Sequence, residues 1–495
     1  MAKFIYINPR DTVVVALEPL PKGVAVEENG LSLCPSEDIP QGHKVAVKPM
    51  AKGEEVIKYG FPIGRAKTGI QPGEWVHVHN LGTNLSEEAE YRYAPVDTTL
   101  PKLEGGTFQG FLREDGRAGV RNEIWILPTV GCVNGVATQL ALQNAFLTEG
   151  TTVDGIYAFP HPYGCSQMGQ DHENTRRILT RLAKHPNAGG VLVVGLGCEN
   201  LTMDQFKAEL GEWDERRVKF MICQDSQDEF EEGASLLKEL CAFAAEQKRQ
   251  PIGLEKLVVG LKCGGSDGLS GITANPTVGA FSDKLIAGGG SAILTEVPEM
   301  FGAEGVLFNR AVSREVFDKA VDMVNGFKDY FVSHGQTVYE NPSPGNKQGG
   351  ISTLEDKSLG CVQKGGTSPI SDVIPYGATV QAQGLTLLSG PGNDLVSTTA
   401  LSAAGAQIIL FTTGRGTPFG APVPTLKIST NTALYKLKSG WIDFNAGTAA
   451  EGESIAQTGS RLYDLVLQVA SGETQTQSEK HGFREMAIFK DGVVL

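Results

Sequence analysis

Gly190-Val-Leu-Val-Val-Gly-Leu-Gly-Cys198 is an apolar run that stops on a Gly-Cys turn. A short continuous apolar run of this kind fits a strand buried on both faces of a parallel sheet. The pattern recurs along the chain. Glu123-Ile-Trp-Ile-Leu-Pro-Thr-Val-Gly-Cys132 precedes it, as does Val153-Asp-Gly-Ile-Tyr-Ala-Phe, which leads to Gly164-Cys165. Arg217-Val-Lys-Phe-Met-Ile-Cys223 and Leu257-Val-Val-Gly-Leu-Lys-Cys263 follow it. Cys132, Cys165 and Cys198 are 33 residues apart, about one strand–helix–strand unit. In an open parallel sheet the ligand crevice lies beyond the carboxyl ends of the strands. Thiols repeatedly placed there point to a metal or a nucleophile and not to disulfides.

Around these strands the chain divides. Residues 1–95 are expected to be all-β, with short runs at 12–17, 23–26, 44–47, 55–59 and 75–79 punctuated by Gly23, Gly42, Gly53 and Gly73. They make a small barrel or β-clip. Residues 96–110 have linker composition. From there strands alternate with expected helices over 136–149, 171–184, 201–210, 228–247, 313–330 and 455–471, which predicts parallel sheets with helical crossovers. A boundary near 249 would separate an α/β middle domain, 111–249, from a C-terminal α/β domain, 250–495.

Composition narrows the class. The 495 residues carry a net charge of −14 and no basic cluster, which argues against a nucleic-acid partner. No apolar run approaches the roughly 20 residues of a membrane span, and the N-terminus shows no secretory h-region. Eight cysteines without a dense framework suit a reducing compartment, so a cytoplasmic location is expected.

Several groups can carry chemistry. Cys132, Cys165 and Cys198 can hold a metal, or an iron–sulfur cluster with one open position; the plain alternative is that each thiol is a small apolar filler. In Trp75-Val-His77-Val-His79, strand alternation would put both imidazoles on one face about 7 Å apart, with His43 nearby. Two surface histidines are the alternative. Lys262-Cys-Gly-Gly-Ser-Asp-Gly-Leu-Ser-Gly-Ile-Thr-Ala-Asn-Pro276 runs from a strand into a glycine-rich turn that can present N–H groups to an anion, which makes Ser266, Asp267 and Asn275 binding candidates. It matches neither nucleotide-binding fingerprint, and Gly195-Leu-Gly197 lacks the third glycine, which argues against a nicotinamide oxidoreductase. Glu296 and Glu299 can ligate a metal or work as acid and base, and with Asp267 they make a rival oxygen-only metal set. Arg415, in Thr413-Gly-Arg-Gly-Thr-Pro418, suits capture of a carboxylate.

The strings Ile57-Lys-Tyr-Gly-Phe-Pro-Ile-Gly, Val120-Arg-Asn-Glu-Ile-Trp-Ile-Leu-Pro-Thr-Val-Gly-Cys-Val-Asn, Gly195-Leu-Gly-Cys-Glu-Asn, the Cys263–Pro276 stretch, Glu340-Asn-Pro-Ser-Pro-Gly-Asn-Lys and Phe411-Thr-Thr-Gly-Arg-Gly-Thr-Pro resemble the altronate and galactarate dehydratases, a family that also includes sulfolactate sulfo-lyase. The resemblance implies an N-terminal SAF-type β-clip, a middle domain used for homodimer contacts and a Rossmann-like C-terminal domain. It implies dehydration of D-altronate to 2-dehydro-3-deoxy-D-gluconate in hexuronate breakdown, with galactarate or a related sugar acid as the alternative substrate. It also implies Fe2+, with Mn2+ as a substitute. Placed on this chain, that chemistry suggests a metal on Cys132, Cys165 and Cys198 closed over by His77 and His79. Arg415 would sit on the substrate carboxylate, and His43 or Lys347 would serve as base. A non-catalytic carbohydrate-binding protein is the rival of another class.

Overall fold

The computed structural model describes residues 2–28, 30–85, 91–103 and 105–495. The protein is α/β, with a strand-rich N-terminal module followed by parallel sheets. The module is wholly antiparallel. One sheet orders Phe4–Ile5, Val13–Ala16, Lys44–Ala46 and Trp75–Val76; a second orders Glu55–Lys58, Phe61–Ala66 and Leu81–Gly82; Val26–Glu28 and Leu31–Leu33 form a hairpin. Two expected strands differ. The run at 23–26 contributes only Val26, and the run at 75–79 stops at Val76, because the chain turns at His77 with Asn80 Oδ1 capping its N–H. His77 and His79 therefore do not share a strand face.

The expected linker ends in a strand. Thr107–Leu112 pairs antiparallel with Gln250–Gly253 and with Ala118–Gly119. Residues 86–90 and 104, at the end of the expected module and within the expected linker, lie outside the described residues.

Two parallel sheets follow. The first orders Gly155–Ala158, Glu123–Pro128, Ala188–Gly195 and Val218–Ile222. Its central strands are buried along their whole length, as their apolar composition requires. The second has seven strands, ordered Ile370–Ile374, Gly384–Leu388, Ser291–Leu294, Val258–Cys263, Ile408–Thr413, Thr425–Ser429 and Phe444–Asn445. From Val258–Cys263 the chain steps to one side, and only at Ile408–Thr413 does it appear on the other. The order reverses between these two neighbours, so a crevice opens beyond their carboxyl ends.

The β module is welded to that edge. Val56, Ile63 and Val76 belong to the same buried cluster as Leu294, Leu354 and Leu410. The backbones meet with no side chain between them: a Cβ on Gly268 would lie 1.9 Å from the Gly42 carbonyl oxygen, and one on Gly350, at φ +103°, 2.4 Å from the same atom. Only glycine fits these two positions.

Candidate active site

Four polypeptide segments bring charge into the crevice, one of them through Asp394, at the start of the helix Asp394–Ala403. The strand Val258–Cys263 ends in Lys262 and Cys263, both buried. After the adjacent strand Ser291–Leu294, the chain turns through Glu296, a non-glycine residue at φ +71°, ψ +59° with no exposed surface. A bulky residue held in the left-handed region costs of order 1–3 kcal/mol and persists where the surroundings dictate it, commonly at functional sites. The turn goes on to Glu299. The third segment is the helix Leu354–Cys361, capped by Thr353 and buried at every position despite its polar sequence. Lys357 and Cys361, one turn apart, share a face of it.

The side chains converge tightly. Glu299 Oε2 accepts from Cys263 Sγ at 2.9 Å and from Cys361 Sγ at 3.0 Å, and the two sulfurs are 3.5 Å apart. Lys357 Nζ holds the other Glu299 oxygen at 2.7 Å. Lys364 Nζ donates to Cys263 Sγ at 3.0 Å and lies 3.6 Å from Glu296 Oε2. Lys262 is paired with Glu296 Oε1 and reaches Asp394 Oδ1 at 2.9 Å. Burial alone would raise the Glu299 carboxyl, but Lys357, Lys262 and Lys364 hold it well below the usual carboxylate range. Glu296 is pushed the other way, by burial and then by the charge on Glu299, against the pull of Lys262 and Lys364. Its hydrogen bond with Cys263, together with burial, keeps the Cys361 thiol protonated far above its ordinary range.

A second ionic knot lies beside the first. Asp356 accepts from Lys44 Nζ at 2.8 Å and Lys58 Nζ at 2.9 Å, and all three groups are sealed from solvent. Asp356 stays ionised because these two ammonium groups overcome its burial, while burial brings Lys44 down to about 8. A cavity of about 10 Å³, enough for one water by its centre, touches Lys58, Asp356, Lys357 and Cys361.

Cys263, Glu299 and Cys361 are the one group of three His, Cys, Asp or Glu side chains among the described residues whose donor atoms all lie within 4.8 Å of one another. Two sulfurs and a carboxylate oxygen suit a borderline-soft divalent ion such as iron(II). The charge balance agrees. Lys262, Lys357 and Lys364 are matched by Glu296, Glu299 and Asp394, so deprotonating both thiols leaves two negative charges for a dication to cancel. Binding would displace the Cys361 proton.

The residues singled out from sequence fall into two places. Several gather at the rim where the module docks. His43 Nε2 contacts the Gln348 carbonyl at 3.2 Å, and its Nδ1 accepts from Trp75 Nε1 at 3.1 Å, so both ring nitrogens are engaged. Arg415 is exposed and donates to the Gly345 carbonyl and to Gln348 Oε1, each at 3.2 Å. Lys347 lies half-buried in the same short helix, Pro344–Gln348. His77 is buried against Ser352 Oγ at 2.9 Å and is brought down to about 4 by burial, then by Lys44 and His43; His79 is exposed beside Trp75. Ser266 accepts from Asn346 through its carbonyl, Asp267 is tied to Thr430 and Ser270, and Asn275 bridges Gly360 and Thr412. The glycine-rich turn is not an open anion cradle along its length. The amides of Gly264 and Asp267 to Ser270 bond within the protein, Gly268 to the Gly349 carbonyl at 2.7 Å.

Cys132, Cys165 and Cys198 are elsewhere. They follow three adjacent strands of the four-stranded sheet and are exposed. No three of Cys132, Cys165, Cys198, His77 and His79 bring donor atoms within 4.8 Å of one another; the thiols and the histidines are carried by different sheets. The oxygen-only set separates too: Glu296 and Glu299 lie in the cluster, while Asp267 is spent on Thr430 and Ser270. Lys44, Lys58, Asp356, Lys357, Cys361 and Lys364 had not been picked out. One signal was legible, since Lys262 is a charge inside an apolar strand, and such a residue is almost never buried unpaired.

A strand-rich module clamped over a buried acid–thiol–ammonium cluster, at the switch point of a parallel sheet, defines an α/β enzyme with an appended β module. Three family models match in order: "Altronate/galactarate dehydratase SAF domain" over residues 2–84, "D-galactarate dehydratase/Altronate hydrolase, second domain" over 110–245, and "D-galactarate/Altronate dehydratase, C-terminal" over 254–494. The chain belongs to the D-galactarate/altronate dehydratase family. It is 54% identical to an altronate dehydratase of Bacillus subtilis (strain 168) and 51% identical to one of Escherichia coli (strain K12), with all of both chains covered in each case. It is 34% identical to the galactarate dehydratase (L-threo-forming) of Escherichia coli (strain K12), over 99% of this chain and 97% of that one.

Proposed function

We propose that the protein is a hydro-lyase that removes water from D-altronate to give 2-dehydro-3-deoxy-D-gluconate. End-to-end identity of 54% and 51% to two altronate dehydratases carries this reading, against 34% to the galactarate enzyme. The reaction takes the proton alpha to a carboxylate and expels the beta hydroxyl. Because the substrate is already an anion, the demand falls on stabilising a second negative charge as it develops. Lys262, Lys357 and Lys364 supply fixed positive charge in a site closed to water, where it acts most strongly. Glu296, locked in its strained turn and raised by burial, takes the alpha proton on its carboxylate; a base poised nearer neutrality is worth roughly 10²–10⁴-fold. Lys357 is kept protonated by Glu299 despite its burial and gives a proton to the departing hydroxyl. The enol then tautomerises to the 2-keto product.

A divalent iron ion, with manganese as substitute, would be held by Cys263, Glu299 and Cys361, and when bound it supplies Lewis-acid polarisation of the substrate carboxylate. An iron–sulfur cluster is the competing form, distinguished by visible charge-transfer absorption under anaerobic conditions. On this reading the enzyme is a cytoplasmic homodimer of hexuronate breakdown, and no helix among the described residues is long and apolar enough to cross a membrane. The test is parallel turnover of D-altronate and galactarate by anaerobically iron-loaded protein. Preferred turnover of altronate supports the reading. Binding without turnover would replace it with a carbohydrate-binding role.

A further inference from the structure

The reacting groups are buried, and the cavity between them and the β module has room for only a water molecule. A hexonate needs another approach. Lys357, which holds Glu299, also donates to Asn341 Oδ1 at 3.1 Å, and Lys262, which holds Glu296, donates to the Gly392 carbonyl at 3.1 Å. Asn341 and Gly392 both line a cavity of about 570 Å³, as does Pro298, from the turn between Glu296 and Glu299. That volume lies within the roughly 300–1,000 Å³ of small-molecule sites. Its floor is thin, since a Cβ added at Gly392 would stand 3.8 Å from Glu299 Oε1.

The walls have a distinct chemistry. Phe327, Tyr330 and Phe331, from the end of the helix Arg314–Ser333, face the cavity with Phe489. Among the described residues, no Lys, Arg, Asp or Glu lines it. Its one histidine, His334, is already engaged at both ring nitrogens: Nε2 lies 2.7 Å from Asp491 Oδ1, and Nδ1 lies 2.9 Å from the Tyr330 carbonyl.

We propose that this cavity receives the sugar acid with its carboxylate toward the Asn341–Gly392 floor and its far end against the aromatic wall, and that it selects an aldonate, with one carboxylate, over an aldarate, with two. The inference rests on the dehydratase reading and adds the substrate's path and the basis of its choice. A neutral hydroxymethyl end can lay C–H groups on the rings while the amides of Asn341 and Gln336 serve the hydroxyls. The floor has the ammonium groups of Lys357 and Lys262 directly behind Asn341 and Gly392, whereas a second carboxylate against the rings would lose water with no such charge behind it, which is strongly unfavourable.

Two variants test it. Gly392→Phe fills the floor, and Gln336→Arg, at an exposed position of the lining, adds a cation. Each is compared with wild type for turnover and for calorimetric binding of D-altronate and galactarate, with iron content and thermal unfolding as controls. Gly392→Phe is expected to lower kcat/KM and affinity for altronate at least 100-fold with iron content retained. Gln336→Arg is expected to shift the galactarate-to-altronate ratio of kcat/KM at least tenfold toward galactarate, and this variant decides alone if the first does not fold. Unchanged altronate kinetics in Gly392→Phe, or an unchanged ratio in Gln336→Arg, overturns the proposal and leaves the dehydratase reading standing. Altronate bound but not turned over by wild type, and lost in Gly392→Phe, does the reverse. Failure of wild type to bind or turn over altronate overturns both.

Discussion

Replacing Asp356 by Asn tests whether charge, and not shape, fastens the β module over the active site. The carboxylate is the shared partner of Lys44 and Lys58, at 2.8 and 2.9 Å, with no solvent reaching any of the three. Asparagine keeps the size and two polar atoms but leaves two buried ammonium groups without a counter-charge. Breaking a buried pair in this way costs about 3–5 kcal/mol. The structure also sets a ceiling. Lys44 is already brought down to about 8, so the variant relieves itself by releasing that proton. Against an unfolded value of about 10.4, wild type already carries about 3 kcal/mol of that discharge cost, so releasing the proton at pH 7 adds roughly 1.4 kcal/mol to the deficit. The deficit at pH 7 therefore lies between about 1.4 kcal/mol, where the proton leaves, and about 5 kcal/mol, where it stays, and the release predicts a pH signature. The deficit against wild type should shrink by about pH 9, where discharging Lys44 costs less. Urea unfolding followed by circular dichroism at pH 7 and about pH 9 measures both quantities, and limited proteolysis between residues 91 and 106 reports release of the module. Lys44→Met is the control, because it leaves one intact lysine–carboxylate pair and should stay within about 1.5 kcal/mol of wild type. A deficit below 1 kcal/mol in Asp356→Asn, or one that is equal at both pH values, would refute the argument.

Other expectations follow from the same geometry. Glu296→Gln should lower kcat by about 10²–10⁴-fold while iron content holds; a variant of near-normal rate removes Glu296 as the base. Cys361→Ser should abolish iron loading and Cys198→Ser should spare it, so metal analysis of the two, in parallel, decides between the buried donor set and the strand-end thiols. Gly268→Ala should be among the most damaging single-methyl changes, because the added carbon would lie 1.9 Å from the Gly42 carbonyl oxygen; a melting temperature equal to wild type would contradict the close docking. Acid should weaken the fold. His161 and His185 are brought down to about 4 and about 3 by burial, so below pH 6.5 the unfolded chain takes up protons that the folded one refuses, and stability falls from there toward pH 4. Asp356 and Glu299, whose folded values are depressed, add to the loss once pH drops through the ordinary carboxylate range. A melting temperature that is flat between pH 7 and 5 would contradict this.

The sequence is legible where one residue's neighbours along the chain decide its fate, and illegible where distant segments do. The strands Glu123–Pro128, Ala188–Gly195 and Val258–Cys263 announce themselves because a parallel strand covered on both faces must be apolar throughout. The strands Ile370–Ile374 and Thr425–Ser429 were missed: Ile-Ser-Asp-Val-Ile and Thr-Leu-Lys-Ile-Ser dilute that signal with polar residues. The helix Leu354–Cys361 is the extreme case. Leu-Glu-Asp-Lys-Ser-Leu-Gly-Cys has the composition of a solvated helix, yet every residue is buried, because the module and the turn through Glu296 close around it with matching charges. The choice among thiols turns on the same point. Cys132 and Cys198 follow glycine in turns that leave them exposed, whereas Cys263 follows Lys262 inside a buried strand. A lysine cannot stay charged there without carboxylates to meet it, and the chain supplies them just past the end of the adjacent parallel strand, at Glu296 and Glu299. The buried lysine thus marks the cysteine that joins the buried cluster more sharply than the Gly-Cys repeat does: the repeat reports only where strands end, while the lysine reports what must face it across the sheet.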